Sequence, residues 1–113
     1  MIQIHEDLNN EYIKLYGLST PGCKLIKYDD KIVGMVDYNV YDEGIKINYI
    51  TVDPQFRHLG IAKEVIYTIM NNNPNKYLYG DAVPLAMKFW ESLGAEFDED
   101  EDDYLTPFII ECK

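Results

Sequence analysis

Arg57, Gly60 and Ala62 stand at the spacing R-x-x-G-x-A inside ITVDPQFRHLGIAKEVIYTIM, residues 50–70. The stretch opens like a strand, turns at Asp53-Pro54 and continues with the apolar pattern of a helix. A helix start exposes backbone N–H groups that lack intrahelical partners. Together with the helix dipole they favour an anion, typically a phosphate. Gly60 and Ala62 leave the backbone bare at alternate positions, so a phosphate can come close. Arg57 adds a permanent cation just before the turn. The spacing therefore predicts a pyrophosphate cradle at a strand-to-helix junction. It is neither a Walker loop nor a dinucleotide fingerprint, since G-x-x-x-x-G-K-[ST] and G-x-G-x-x-G are both absent. Alone, R-x-x-G-x-A would read as small residues where a helix crosses a strand. The strand before it and the amphipathic helix after it supply the arrangement the chemistry needs.

The flanking sequence must build that junction. Residues 1–22 are the least readable; Leu8, Tyr12, Ile13, Leu15 and Tyr16 sit near helical spacing and Gly17 could end that helix. CKLIKYDDKIVGMVDYNVY reads as two strands joined at Asp29-Asp30, and EGIKINYITV as a third, with Ile45, Ile47 and Tyr49 alternating with Lys46, Asn48 and Ile50. Short turns make these three an antiparallel meander. A helix is predicted from about His58 to Asn71, with Leu59, Ala62, Val65, Ile66, Ile69 and Met70 as its apolar stripe. KYLYGDA reads as a strand. A second helix opens near Pro84 and buries Leu85, Ala86, Phe89, Trp90 and Leu93, with Gly94 as its left-handed cap. Two last strands, AEF and YLTPFIIEC, flank the acidic run DEDEDD, residues 98–103. This order predicts an α+β (mixed α/β) fold, a twisted sheet with helices packed on it.

Composition narrows the partners. The 113 residues fit one domain, residues 1–113. Twenty acidic residues against ten basic give a net charge of −10, which argues against nucleic acid, whose phosphates need a basic face. An acidic field favours cationic ligands. Cys23 and Cys112 are far apart and read as reduced thiols. His5 and His58 have no second ligand at metal spacing. No signal peptide and no membrane-spanning run is visible, so a cytoplasmic protein with no membrane partner is expected.

The sequence resembles the GNAT superfamily of acyl-CoA-dependent N-acyltransferases. ITVDPQFRHLGIAKEVI looks like the family's acyl-CoA motif, and AMKFWESLGAEF, residues 86–97, looks like its second signature A-x-x-[LF]-[YF]-E-x-L-G-F. The two stand in family order, about 25 residues apart, and the resemblance covers residues 24–112. It implies a mostly antiparallel sheet in which two parallel strands, KINYITV and KYLYGD, splay apart and admit pantetheine. It further implies acetyl-CoA as cosubstrate and an amine acceptor that attacks it directly, with no covalent enzyme intermediate. Arg57, His58, Leu59, Gly60, Ile61 and Ala62 would wrap the pyrophosphate, and Ile50 and Val52 would bond the pantetheine amides through their main chain. Lys63 and Lys88 lie near where members hold outer phosphates, and both also fit ordinary exposed helix lysines.

The catalytic groups follow the pattern less closely. Where members often carry a tyrosine that protonates the leaving thiolate, this chain has Trp90; where they often carry an asparagine, it has Val83. Where some carry a basic carboxylate, ungapped counting gives Lys46. Asp81 and Tyr79, at the end of the parallel neighbour strand, are the remaining candidates near the cleft mouth. Asp81 reads equally well as a cap for the following helix. Only 22 residues precede the first strand read from Cys23, whereas members ordinarily carry a further strand and usually two helices there. That trims the acceptor side and leaves open whether a homodimer completes it. The rival reading is a non-catalytic domain that binds acyl-CoA or serves protein contacts, favoured by Trp90 and Lys46.

Overall fold

The computed structural model describes residues 2–5, 22–57, 59–98 and 104–111. The expected helix over residues 8–16, His58, Cys112 and residues 99–103 of the acidic run lie outside the described residues.

Among the described residues seven strands form one sheet in the order β1-β2-β3-β4-β5-β7-β6. They are β1 (Ile2–His5), β2 (Cys23–Tyr28), β3 (Lys31–Val40), β4 (Gly44–Val52), β5 (Tyr77–Ala82), β6 (Glu96–Phe97) and β7 (Thr106–Glu111). The meander is present as β2, β3 and β4. Asp29 and Asp30 make the β2–β3 turn with φ of 51° and 69°, the left-handed pair that a two-residue hairpin requires. The sequence reading missed β1, which pairs antiparallel with β2. IQIH is too short to carry a periodic signal.

The helix after β4, α1, spans Ile61–Asn72, and the next, α2, spans Met87–Ser92. The first was expected to start at His58, but Gly60 has φ 76°, a left-handed conformation that cannot lie inside a right-handed helix. The stripe shifts with it: Ile61, Val65, Ile66 and Ile69 are buried, while Leu59 is 61% exposed. The second helix is preceded by a 3-10 turn at Pro84–Ala86, and in that turn Leu85, expected to be buried, is 99% exposed. Gly94 follows α2 with φ 87°, as its sequence position predicts.

The two helices of the described residues feed one core with one face of the sheet, where Val65 and Ile66 of α1 and Trp90 of α2 join Ile45, Leu78 and Phe108. Cys23, Leu25 and Met35 form a separate cluster. They alternate along their strands with residues of the main core and therefore mark the opposite face.

A bulge corrects the reading of β4. Tyr49 is in register with Asp37, but Ile47 is in register with Tyr38, so Asn48 is an extra residue on β4. The inward phase changes there: Ile45 and Ile47 are buried before the bulge and Val52 after it, with Ile50 packed against the same core. Tyr49, expected to alternate inward with Ile45 and Ile47, is exposed.

Candidate active site

The site begins where two parallel strands part. β4 and β5 are in register from Gly44↔Tyr77 to Ile47↔Gly80 and no further, although β4 continues to Val52 and β5 to Ala82. The expected splay is therefore present. It opens a cleft of about 390 Å³ through the sheet, lined by Lys46, Asn48, Asp81, Val83, Trp90 and Leu105 among others.

The free edge of β4 faces this gap. Asp53 N–H donates to the Val33 carbonyl of β3 at 2.7 Å. Successive residues of a strand aim their backbone groups to opposite sides. Val52, and two residues earlier Ile50, therefore turn theirs away from β3, toward the gap. Arg57 closes the lower end: its Nε donates to the Val52 carbonyl at 2.9 Å. That bond fixes the guanidinium against the strand end, while the side chain as a whole stays exposed.

Next comes the helix start. Pro54–Phe56 form a 3-10 turn, and Gly60 caps α1 with no side-chain hydrogen bond. The first helical bond runs from Glu64 N–H to the Gly60 carbonyl at 3.0 Å. The N–H groups of Ile61, Ala62 and Lys63 consequently lack intrahelical acceptors. A Cβ built on Gly60 would meet nothing within 4 Å, so the backbone there is open to approach. Ile61 is buried and anchors the turn, Leu59 is exposed, and Ala62 and Lys63 are half-buried. Lys88 is exposed on α2. An open left-handed glycine, a row of unsatisfied N–H groups, an adjacent arginine and a vacant strand edge suit a nucleotide pyrophosphate followed by an extended amide chain.

The catalytic candidates separate. Asp81 is exposed and lines the cleft. It does not cap the following turn, whose N-cap is Val83 with no side-chain bond. Tyr79 is in register with Lys46, inside the paired part of β5, and lines shallow hollows beside the cleft rather than the cleft itself. Trp90 is 4% exposed, with its ring stacked on Phe108 at 4.1 Å and edge-on to Phe89 at 4.9 Å. It forms an apolar wall of the cleft. Lys46 lines the cleft as well. Among the described residues no group of three His, Cys, Asp or Glu side chains could hold a metal ion.

Sequence reasoning missed Asn48 and Asp37. Asn48 lines the cleft and its amide nitrogen donates to Asp37 and Asn39. Their significance depends on the bulge, which no composition or periodicity announces.

The model of the acetyltransferase (GNAT) family matches residues 3–95, beginning inside β1 rather than at residue 24. The chain belongs to this family, whose members are acyl-CoA N-acyltransferases with acetyl-CoA as acyl donor. No curated protein sequence matches it. Among solved structures it is similar to the N-acetyltransferase YlbP of Bacillus subtilis in complex with coenzyme A, with TM-score 0.73 and 15% identity over 98% of this chain and 97% of that one. It is also similar to the ribosomal-protein-S18-alanine N-acetyltransferase of Escherichia coli, with TM-score 0.70 and 15% identity over 96% and 91%. A third likeness is to Naa50 of Arabidopsis thaliana in complex with the bisubstrate analogue CoA-Ac-MVNAL, with TM-score 0.68 and 13% identity over 96% and 96%. At such identities the likeness is one of fold.

Proposed function

We propose that the protein is an N-acetyltransferase that moves an acetyl group from acetyl-CoA to a primary amine by direct attack. The observation that carries this reading is the vacant edge of β4 leading into the open N-terminus of α1. Bound acetyl-CoA would supply the activated thioester. The N–H groups of Ile61, Ala62 and Lys63, with the backbone at Gly60 and the Arg57 guanidinium, hold the pyrophosphate. Backbone groups of Ile50 and Val52 align the pantetheine as an extra strand, and the Val52 N–H polarises the thioester oxygen, an oxyanion-type role.

An alkyl ammonium has a pKa of about 10.4, so at neutral pH the acceptor must shed a proton before it attacks. Asp81, the exposed carboxylate on the cleft wall, is the group proposed to attract the ammonium and pass its proton to solvent. Tyr79 lies outside the cleft lining and is given no role in that step. Trp90 cannot supply a proton, because indole donates a hydrogen bond without ionising at neutral pH. The thiol of coenzyme A, with acidity near that of cysteine at about 8.5, can leave as the thiolate.

Trp90 and Lys46 favour a second reading, a domain that binds acyl-CoA without turnover. One experiment separates the two: acetyl-CoA stabilisation against heat, together with release of free thiol over a broad panel of amines. Stabilisation with amine-dependent release supports the enzyme. Stabilisation without release supports the binding domain, and no stabilisation at millimolar acetyl-CoA overturns both.

A further inference from the structure

At the point where β4 leaves β5, the sheet face away from the helices carries a small polar cluster. Asn48 is the bulged residue of β4, and a bulge re-aims its side chain. Its Nδ2 donates to Asn39 Oδ1 at 2.8 Å and to Asp37 Oδ1 at 3.2 Å. Asp37 is 5% exposed, a charged side chain among the apolar residues of this sheet. A carboxylate only accepts hydrogen bonds, so the Asn48 amide must turn its nitrogen toward β3. Both of its N–H groups are then committed. Its Oδ1, in the same plane at the other corner of the amide, receives no hydrogen bond from a described residue, while Asn48 itself lines the cleft.

An amide held in this way can only accept. The geometry points to Asn48 Oδ1 as the contact that fixes the acceptor's amino group in the cleft, with Asp37 and Asn39 as positioning residues that act through the Asn48 amide. Such a site rests on the amine acceptor proposed above and says how its nitrogen is held: the ligand must bring an N–H to the bulge, which a quaternary ammonium or an alkyl ester cannot. The buried Asp37 carboxylate polarises the amide from behind, and its negative charge opposes the positive charge that Lys46 brings to the cleft. Asn48 neither gives nor takes a proton. It orients the nitrogen, and the proton lost on attack leaves by another group.

The test is a titration followed by NMR at the Asn48 side-chain carbonyl, with spermidine and alanine amide as probes and tetramethylammonium as a cation without N–H. Both amines should shift that carbonyl saturably, and tetramethylammonium should not. Affinities of the variants are read by calorimetry, since alanine has no side-chain carbonyl to observe: Asn48→Ala should weaken amine binding about tenfold or more, the usual effect of losing a hydrogen bond to a charged group. Asp37→Asn removes the reason for the amide's orientation and should weaken amine binding too. In the Asn48→Ala background it should add less than twofold, the non-additivity expected of a residue that acts through another. Amide shifts in α1 on adding coenzyme A are read in the same samples. Their absence would sink the acetyl-CoA reading alone, since amine binding at Asn48 is observed directly. Equal shifts from tetramethylammonium, no shift from either amine, or full additivity of the two substitutions would overturn the assignment.

Discussion

Ile47 and Gly80 form the last pair in register between β4 and β5, and the cleft opens at the next residue of each strand. A Cβ on Gly80 would come within 2.8 Å of the Ile47 carbonyl oxygen and 3.2 Å of the Phe108 ring. The strands therefore approach closely just before they separate, and glycine is what allows it. Phe108 in turn stacks on Trp90, so the same point fixes the cleft's apolar wall.

Gly80→Val is expected to lower the unfolding free energy by about 1–3 kcal/mol, the range for overpacking in a close-packed interior. The partner at 2.8 Å is backbone, so adding Phe108→Leu should recover only part of the loss. Urea unfolding of the two variants measures this. Full recovery in the double variant would place the strain in the ring rather than at the strand junction.

Gly60 differs, because its added Cβ meets open space and only the φ of 76° opposes substitution. Asparagine tolerates that conformation better than other side chains. Gly60→Asn should therefore lose no more than about 1 kcal/mol of stability, yet lose most of the thermal stabilisation by acetyl-CoA, since its side chain covers the exposed backbone. A variant stabilised as strongly as the wild type would show that the pyrophosphate does not rest on Gly60.

The parts of this molecule legible in sequence are those governed by local rules. The strand–turn–helix junction follows from Val52, Asp53, Pro54 and Gly60, whereas the parallel pair β4–β5 was expected only through the family resemblance. Long-range register was not legible. Asn48 reads as an ordinary outward strand position, and only its mismatch with β3 turns it into a bulge that faces Asp37. Leu85 and Leu59 match a helical stripe by spacing, but a 3-10 turn and a left-handed glycine precede the helices and leave both exposed. Asp81 and Tyr79 share a face of β5, and only the end of the β4–β5 register places one on the cleft and the other beside it.

Trp90 should matter more for the fold than for proton transfer. Trp90→Phe keeps an aromatic surface against Phe108 and is expected to retain turnover within about threefold, whereas Trp90→Ala should cost about 3–5 kcal/mol of stability. Steady-state kinetics alongside denaturant unfolding separate the effects. A tenfold fall in kcat for Trp90→Phe with stability intact would assign the indole a part in the reaction.

Cys23 is fully buried, and burial raises its thiol above the ordinary value; the nearby Asp37 carboxylate raises it further and Lys24 opposes. The unfolded chain ionises this thiol at its ordinary pKa, about 8.5, before the folded chain does. Its stabilising contribution is thus complete below that pH and declines as pH rises through it toward the folded value. Between pH 7.5 and 9.5, about one unit either side of the ordinary thiol value, the wild type should lose more stability than Cys23→Ala. Parallel loss in the two proteins would show that the thiol stays protonated equally in both states.

The acidic run DEDEDD, residues 98–103, gives the last prediction. Asp98 follows β6 with its N–H on the Pro107 carbonyl at 3.0 Å, and Leu105, two residues beyond the run, lines the cleft. The chain that leaves the run thus enters the cleft wall directly. Six consecutive acids raise the local concentration of ammonium-bearing acceptors, an effect that salt screens over about 10 Å at 0.1 M. Changing Asp100, Asp102 and Asp103 together to asparagine should raise the acceptor's KM severalfold at low ionic strength and leave the KM for acetyl-CoA unchanged. The difference should vanish by about 0.5 M salt, where the Debye length is well below the spacing of exposed charges. Equal acceptor KM in variant and wild type at low salt would reduce the run to solvation of the surface. A change that persists at high salt would mean that these carboxylates touch the acceptor rather than steer it.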